Sequence, residues 1–161
     1  MKKLAGGTSV LTVLGMLVIA AVAVATPGSG VTTTALAQGL LPSIDVQVDT
    51  GDWKLRLKTS GHSDVSTSEI RVAPGGYFGW HKHPGPSLVI VKSGTSTFYR
   101  GDDPHCTPEV HPAGSAYVDP GGVVHTARNE GSEELVLIVT RIIPSGSAPR
   151  IDAPDPGNCH F

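Results

Sequence analysis

Turn-forming residues divide most of this chain into segments that are too short for long helices. The chain has 20 Gly and 13 Pro in 161 residues, and Gly-Pro-Asp-Ser clusters recur at short intervals from Asp49 onward. Nine stretches rich in β-branched and aromatic residues lie between these clusters: 44–48, 53–57, 69–72, 77–83, 87–92, 95–99, 115–118, 123–128 and 135–143. Many short strands at this spacing predict an all-β sandwich or barrel.

Length and charge limit the remaining choices. A chain of 161 residues suffices for one ordinary domain and is too short for two with separate cores. Charged residues make up only 16% of the chain, the formal net charge is -2, and there is no basic run. Because phosphate backbones require a basic surface, we expect no nucleic-acid partner.

The N-terminus has the outline of an export signal. Lys2 and Lys3 precede an apolar stretch from Val10 to Ala25, and no charged residue follows until Asp45. Two small-x-small cleavage sites end at Ala25 and Ala37; we favour the second, because the first places a proline just beyond the cut. An uncleaved membrane anchor is the alternative, because roughly 20 apolar residues span a bilayer. Either reading predicts an extracytoplasmic protein, secreted or anchored through this segment alone.

Composition then divides the chain into three parts. Residues 1–37 are expected to be the signal or anchor with a linker, because the stretch 26–42 is rich in Thr, Gly, Ala and Pro and has no periodic pattern. Residues 43–143 contain the predicted strands. The tail, residues 144–161, has too many prolines for a central strand, so we expect it to pack on the outside of the barrel.

The chain has two cysteines, Cys106 and Cys159, and both lie in the part expected to be exported. An oxidising compartment favours a disulfide between them. Closing a loop of about 54 residues is worth roughly 4 kcal/mol in the chain-entropy model. The alternative is two unrelated free thiols.

Three histidines are candidates for a metal site. His81 and His83 are two residues apart in a predicted strand, so both imidazoles point to the same face. His125 follows the turn Pro120-Gly121-Gly122 and enters the next predicted strand. Neutral imidazole suits a divalent transition metal such as Fe, Zn, Mn or Ni. The alternative is that backbone or water satisfies these histidines and no metal binds.

Two sequence blocks give these histidines a specific context. The pattern G-x5-H-x-H-x3-E-x6-G and the pattern G-x5-P-x-G-x2-H-x3-N match at Gly75, His81, His83, Gly94, Gly114, Pro120, Gly122, His125 and Asn129. The chain thereby resembles the cupin superfamily, in its single-domain type-2 form. That resemblance implies a jelly-roll β-barrel with a metal inside its mouth. It also implies a homodimer paired through an edge strand.

One position departs from the cupin pattern, because Ser87 occupies the slot where cupins usually carry a glutamate ligand. We expect no carboxylate at an inward position, and we interpret Asp119, Glu133 and Glu134 as solvated surface. Three function hypotheses stay open. The first is binding of a metal and an unidentified small molecule without turnover, the second is a three-histidine iron oxidoreductase resembling the cupin dioxygenases, and the third is a metal-free structural or interaction module. No catalytic residue is assigned.

Overall fold

The computed structural model describes residues 25–161, so the first 24 residues of the predicted export segment 1–37 lie outside the described residues. Every regular element from residue 25 onward is a β-strand, and no helix there reaches the length and apolarity needed for a membrane crossing. The strands are β1 (Ser29–Leu41), β2 (Asp45–Asp49), β3 (Lys54–Lys58), β4 (Ser63–Tyr77), β5 (His81–Lys82), β6 (Ser87–Ser93), β7 (Thr95–Arg100), β8 (Glu109–Pro112), β9 (Ala116–Asp119), β10 (His125–Arg128), β11 (Leu135–Pro144) and β12 (Ile151–Asp152).

Ten of these strands form one antiparallel sheet that curls into a nearly closed jelly-roll barrel. Its strands follow the order β12-β5-β10-β4-β11-β6-β9, with β1 paired to β4, and β7 paired to both β10 and β8. β2 and β3 form a separate two-stranded hairpin. The prediction of an all-β jelly-roll barrel is therefore confirmed.

β1 differs from the sequence expectation. Residues 29–41 lie within the stretch interpreted as a linker or propeptide, yet they pair with β4 from Ser29 opposite Tyr77 to Leu41 opposite Ser63. The linker interpretation is wrong for these residues. The ladder uses backbone groups that every residue carries, while nearly all β1 side chains are exposed, so no apolar alternation marks the strand.

The main core fills one end of the barrel. Its buried members are Ile70, Val72, Val89, Val91, Leu135, Leu137 and Val139. They come from β4, β6 and β11, where every second side chain points inward. Burial of each such side chain contributes about 1.5–3 kcal/mol, so this end supplies much of the stability of the fold.

The tail packs against the opposite end from outside. β12 pairs with β5, and Phe161 stacks on Trp80 with ring centroids 6.4 Å apart. The Cα atoms of Cys106 and Cys159 are 5.2 Å apart with their sulfurs in bonding contact, a separation within the range of disulfides. Cys159 also belongs to a small buried cluster with Trp80 and Tyr99.

Candidate metal centre

The barrel brings the three predicted histidines together. His81 begins β5, His83 follows that strand, and His125 begins β10 directly opposite His81. Each is at most 4% exposed, and one ligand nitrogen from each lies within 4.8 Å of the others. The turn before His125 is tied down by the Gly122 amide, which donates to the His83 carbonyl at 2.8 Å. Gly121 has a positive φ of 75°, which a residue without Cβ adopts freely.

Each imidazole is oriented by a backbone carbonyl on the side away from the cavity. The Nδ1 atoms of His81, His83 and His125 donate to the carbonyls of Gly79 (2.9 Å), Pro149 (2.6 Å) and Val123 (2.9 Å), respectively. A carbonyl oxygen only accepts hydrogen bonds, so Nδ1 carries the proton in all three rings. Each Nε2 therefore presents a free lone pair, which is the form that binds metals.

Burial also keeps these rings neutral. It lowers the pKa of His81 to about 2, with the nearby His125 as the second cause, and it lowers the pKa of His83 to about 4. The pKa of His125 is likewise lowered by burial, against an opposing influence of Asp119. A neutral imidazole needs no deprotonation before it coordinates a metal.

Asp119 was expected at the surface, and that prediction is wrong. Asp119 ends β9 with only 4% of its area exposed. Its Oδ1 accepts the Gly121 amide at 2.9 Å, whereas its Oδ2 has no hydrogen-bond partner among the described residues. That Oδ2 lies 3.4 Å from Nε2 of His125 and 3.5 Å from Nε2 of His83. Three electron-pair donors thus face one another, an arrangement that a cation between them would stabilise.

Ser87 and Arg141 continue this polar row across the sheet. Ser87 pairs with Asp119 of β9 on one side and with Arg141 of β11 on the other. The Ser87 hydroxyl and the Arg141 Nε are buried and have no hydrogen-bond partner within residues 25–161. Glu133 and Glu134, by contrast, are exposed as the sequence predicted.

A cavity connects these groups. It measures about 40 Å³, which is room for roughly three water molecules, and the histidines, Asp119, Ser87 and Arg141 lie in its wall with several apolar side chains. Phe98 forms part of the wall and stacks on the His125 ring at 5.0 Å. A larger cavity of about 460 Å³ adjoins it, and His81, His83 and Arg141 line both.

The comparisons with known proteins agree with this architecture. Residues 68–141 match the Cupin_2 family, described as a cupin domain. This protein carries a cupin domain. The match includes all three histidines, Ser87 and Asp119. No curated protein matches the chain.

Solved structures show the same fold at low identity. The chain is similar to a cupin superfamily protein from Desulfitobacterium hafniense, with 16% identity, a TM-score of 0.50, and coverage of 71% of this chain and 79% of that chain. It is also similar to a cupin-2 domain protein from Rhodospirillum rubrum, with 15% identity, a TM-score of 0.51, and coverage of 77% and 66%, respectively. At such identities the likeness concerns the fold of the cupin domain alone.

The donor set of this cupin domain fits a transition metal. Three neutral imidazole nitrogens suit Fe, Zn, Mn or Ni. The three-histidine cluster could therefore bind a metal ion, and the adjoining cavity leaves space beside it for a small molecule.

Proposed function

We propose that this cupin domain binds one divalent transition metal through Nε2 of His81, His83 and His125, and binds a small molecule in the cavity beside it. One observation carries the proposal: the three Nδ1 protons are taken by backbone carbonyls, which leaves the Nε2 lone pairs free in three rings whose ligand nitrogens lie within 4.8 Å of one another. Histidines kept only for packing would have no need of this common orientation. The match to a cupin domain supports the same reading.

A bound metal would supply Lewis-acid chemistry, or redox chemistry if the metal is iron. The protein's own contribution is orientation and exclusion of water. Backbone carbonyls fix the imidazole planes, Phe98 covers one face of His125, and apolar side chains such as Ile70 and Val139 wall the cavity. A small molecule placed there would displace water from beside the metal, and electrostatic interactions strengthen where water is excluded.

The experiment measures metals in the full chain, produced with export and purified without chelator. Elemental mass spectrometry is applied to the native protein and to a variant with both His81→Ala and His83→Ala. We expect near-stoichiometric metal in the native protein and none in the variant. A matched control changes the exposed His62 and His105 to Ala and should retain the metal.

A native protein that stays empty after incubation with Fe, Zn, Mn and Ni in turn would contradict the proposal. The metal-free structural module would then replace it. Iron in the native protein, together with oxygen consumption, would instead promote the oxidoreductase alternative. That alternative is favoured by a ligand set that leaves coordination positions free for oxygen and substrate.

We further propose that the domain functions outside the cytoplasm and keeps β1 after export. A cut after Ala37 would remove most of β1, whereas a cut after Ala25 leaves it whole. Thr26 is itself attached, because its hydroxyl accepts the Trp80 amide at 2.7 Å. N-terminal sequencing of the exported protein should give Thr26 as the first residue. A start at Gln38 would contradict this proposal, and an intact N-terminus would indicate the anchor.

The homodimer is proposed through β9, which ends the strand order of the sheet. An edge strand offers unpaired backbone groups. Val118 of this strand is 61% exposed, and it lies opposite Leu88, which is exposed as well. Light scattering after gel filtration should show a dimer that Val118→Asp converts to a monomer, while Val46→Asp on the β2–β3 hairpin leaves it intact. A monomeric native protein would refute the dimer.

A further inference from the structure

We infer that Asp119 is the fourth, negatively charged ligand of the metal site, in place of the glutamate that cupins carry where this chain has Ser87. This inference rests on the proposed function. The register explains the exchange: Ser87 of β6 and Asp119 of β9 are directly paired across the sheet. A carboxylate from either strand can therefore reach the same corner of the cavity.

The distances agree with shared coordination. Ligand atoms that bind one metal at about 2.1 Å lie about 3.0–3.4 Å apart in octahedral and tetrahedral arrangements. Oδ2 of Asp119 lies 3.4 and 3.5 Å from Nε2 of His125 and His83. These separations are too long for good hydrogen bonds and close to those of ligands around one ion.

The unpartnered Oδ2 of Asp119 also supports its role as a metal ligand. A buried carboxylate oxygen without a donor costs free energy, because it has lost its hydrogen bonds to water and has no hydrogen-bond donor in the protein. Asp119 is nine-tenths or more buried, and its other oxygen is already occupied by the Gly121 amide. A cation close to Nε2 of His83 and Nε2 of His125 would satisfy Oδ2 and neutralise its charge.

Asp119→Asn tests this role, because asparagine keeps the size and the oxygen that accepts the Gly121 amide. A carboxylate favours Mn²⁺ more than it favours Zn²⁺, whereas imidazole alone suits Zn²⁺. We therefore expect the Mn²⁺ affinity, measured by calorimetry, to fall by on the order of 100-fold, and the Zn²⁺ affinity to fall less. The exposed Asp102→Asn is the matched control and should change neither affinity.

A rescue variant separates ligation from mere structure. The double variant Asp119→Ala with Ser87→Glu returns a carboxylate to the paired position, so it should regain Mn²⁺ binding that Asp119→Ala alone has lost. Unchanged Mn²⁺ and Zn²⁺ affinities in Asp119→Asn would overturn the ligand role while leaving the three-histidine proposal intact. If the native protein bound neither metal, both proposals would fall.

A different pair of side chains, Ser87 and Arg141, carries a second inference. We infer that they bind the carboxylate group of a small ligand placed beside the metal, which deepens the same proposed function. The Ser87 side chain is buried with its hydroxyl unpartnered, and the Arg141 Nε is buried and unpartnered as well. Arg141 has no carboxylate within ion-pair distance among residues 25–161.

The half-buried Arg141 guanidinium forms no ion pair within residues 25–161, so an anion placed beside it would be stabilised. Burial lowers the pKa of Arg141, against an opposing influence of Asp119, and arginine presents a planar fork that matches a carboxylate. Arg150 also lines the adjoining cavity, but its charge is offset there by the ion pair with Asp152, so the anion site is assigned to Arg141. The small cavity accommodates a group of only a few non-hydrogen atoms, and the rest of a longer ligand would extend into the larger one.

Acetate is the probe, and acetamide, which has nearly the same shape without the charge, is its comparison. Calorimetry on zinc-loaded and metal-free protein, with metal content measured on the same samples, should show acetate binding and little acetamide binding. Arg141→Ala should weaken acetate at least tenfold, and Arg141→Lys should recover part of that loss. Arg56→Ala, in the hairpin outside the barrel, is the control.

Equal binding of acetate and acetamide, or acetate binding that survives Arg141→Ala, would overturn the carboxylate subsite. The metal measurements keep the two proposals apart. A protein that contains zinc and does not bind acetate would refute only the carboxylate subsite. A protein that takes up no zinc yet binds acetate through Arg141 would refute only the metal site.

Discussion

The two ends of this barrel are built from the same strands but filled with opposite chemistry. Along β11 the inward side chains are Leu135, Leu137 and Val139, and the next inward position is Arg141. β6 makes the same change, from Val91 and Val89 to Ser87. One end excludes water by apolar packing, whereas the other buries polar groups that gain partners only from a ligand or a metal.

The apolar end contributes to the stability of the fold, whereas the polar end lowers it. The apolar end supports itself, because its members contact one another. The polar end depends on braces from outside: the Pro149 carbonyl fixes His83, β12 pairs with β5, and Cys159 lies beside Cys106. A change at a core position that does not line the cavity, such as Leu135, should therefore reduce stability alone, while a change in the braces should also alter the site.

The largest effect is expected from the disulfide. Replacing Cys106 and Cys159 with serine removes a link across 53 residues and should lower the free energy of unfolding by about 4 kcal/mol. The freed tail would also release the Pro149 carbonyl from His83, so metal affinity should fall. Urea unfolding and metal titration measure the two effects. A double variant as stable as the native protein would show that the cysteines are not bridged in solution.

Leu135→Ala tests the opposite end. Leu135 is fully buried, so the substitution should leave a cavity and cost about 3 kcal/mol of unfolding free energy. Metal affinity should stay the same, since the side chain lies in the apolar core. The exposed Leu55→Ala is the control and should change stability little. A loss of metal affinity in Leu135→Ala would show that the apolar core and the metal site are coupled.

Metal removal should affect only the polar end. A metal at 100 times its dissociation constant stabilises the folded state by about 2.7 kcal/mol. Chelator should therefore lower the melting temperature of the native protein. The variant with His81→Ala and His83→Ala should melt at the same temperature with and without chelator. Equal chelator effects in both proteins would assign the metal to some other site.

The sequence could predict those parts of the site that depend on side-chain alternation along a strand or on a turn. His81 and His83 share a face by the period of a strand, and the turn before His125 places it at a strand entry, so the three histidines could be grouped before the fold was known. Asp119 could not be found in this way. Its inward position depends on the register between β9 and β6, which no local pattern in the sequence encodes.

β1 escaped prediction for a related reason. Its ladder with β4 uses backbone groups alone, and its side chains face solvent, so composition resembled a linker. The structural row of Asp119, Ser87 and Arg141 also spans three strands that are far apart in sequence. Long-range pairing of this kind is what local periodicity leaves undetermined.

The smallest effect is expected outside both ends, in the β2–β3 hairpin. Nη2 of Arg56 lies 3.3 Å from Oδ2 of Asp45. Both side chains are about half exposed, so solvent screens this ion pair. Arg56→Ala should therefore change the free energy of unfolding by less than about 0.5 kcal/mol and leave metal affinity alone. Urea unfolding beside Leu135→Ala gives the comparison directly. A loss of about 2 kcal/mol would show that the hairpin stabilises the fold as much as a buried position of the barrel does.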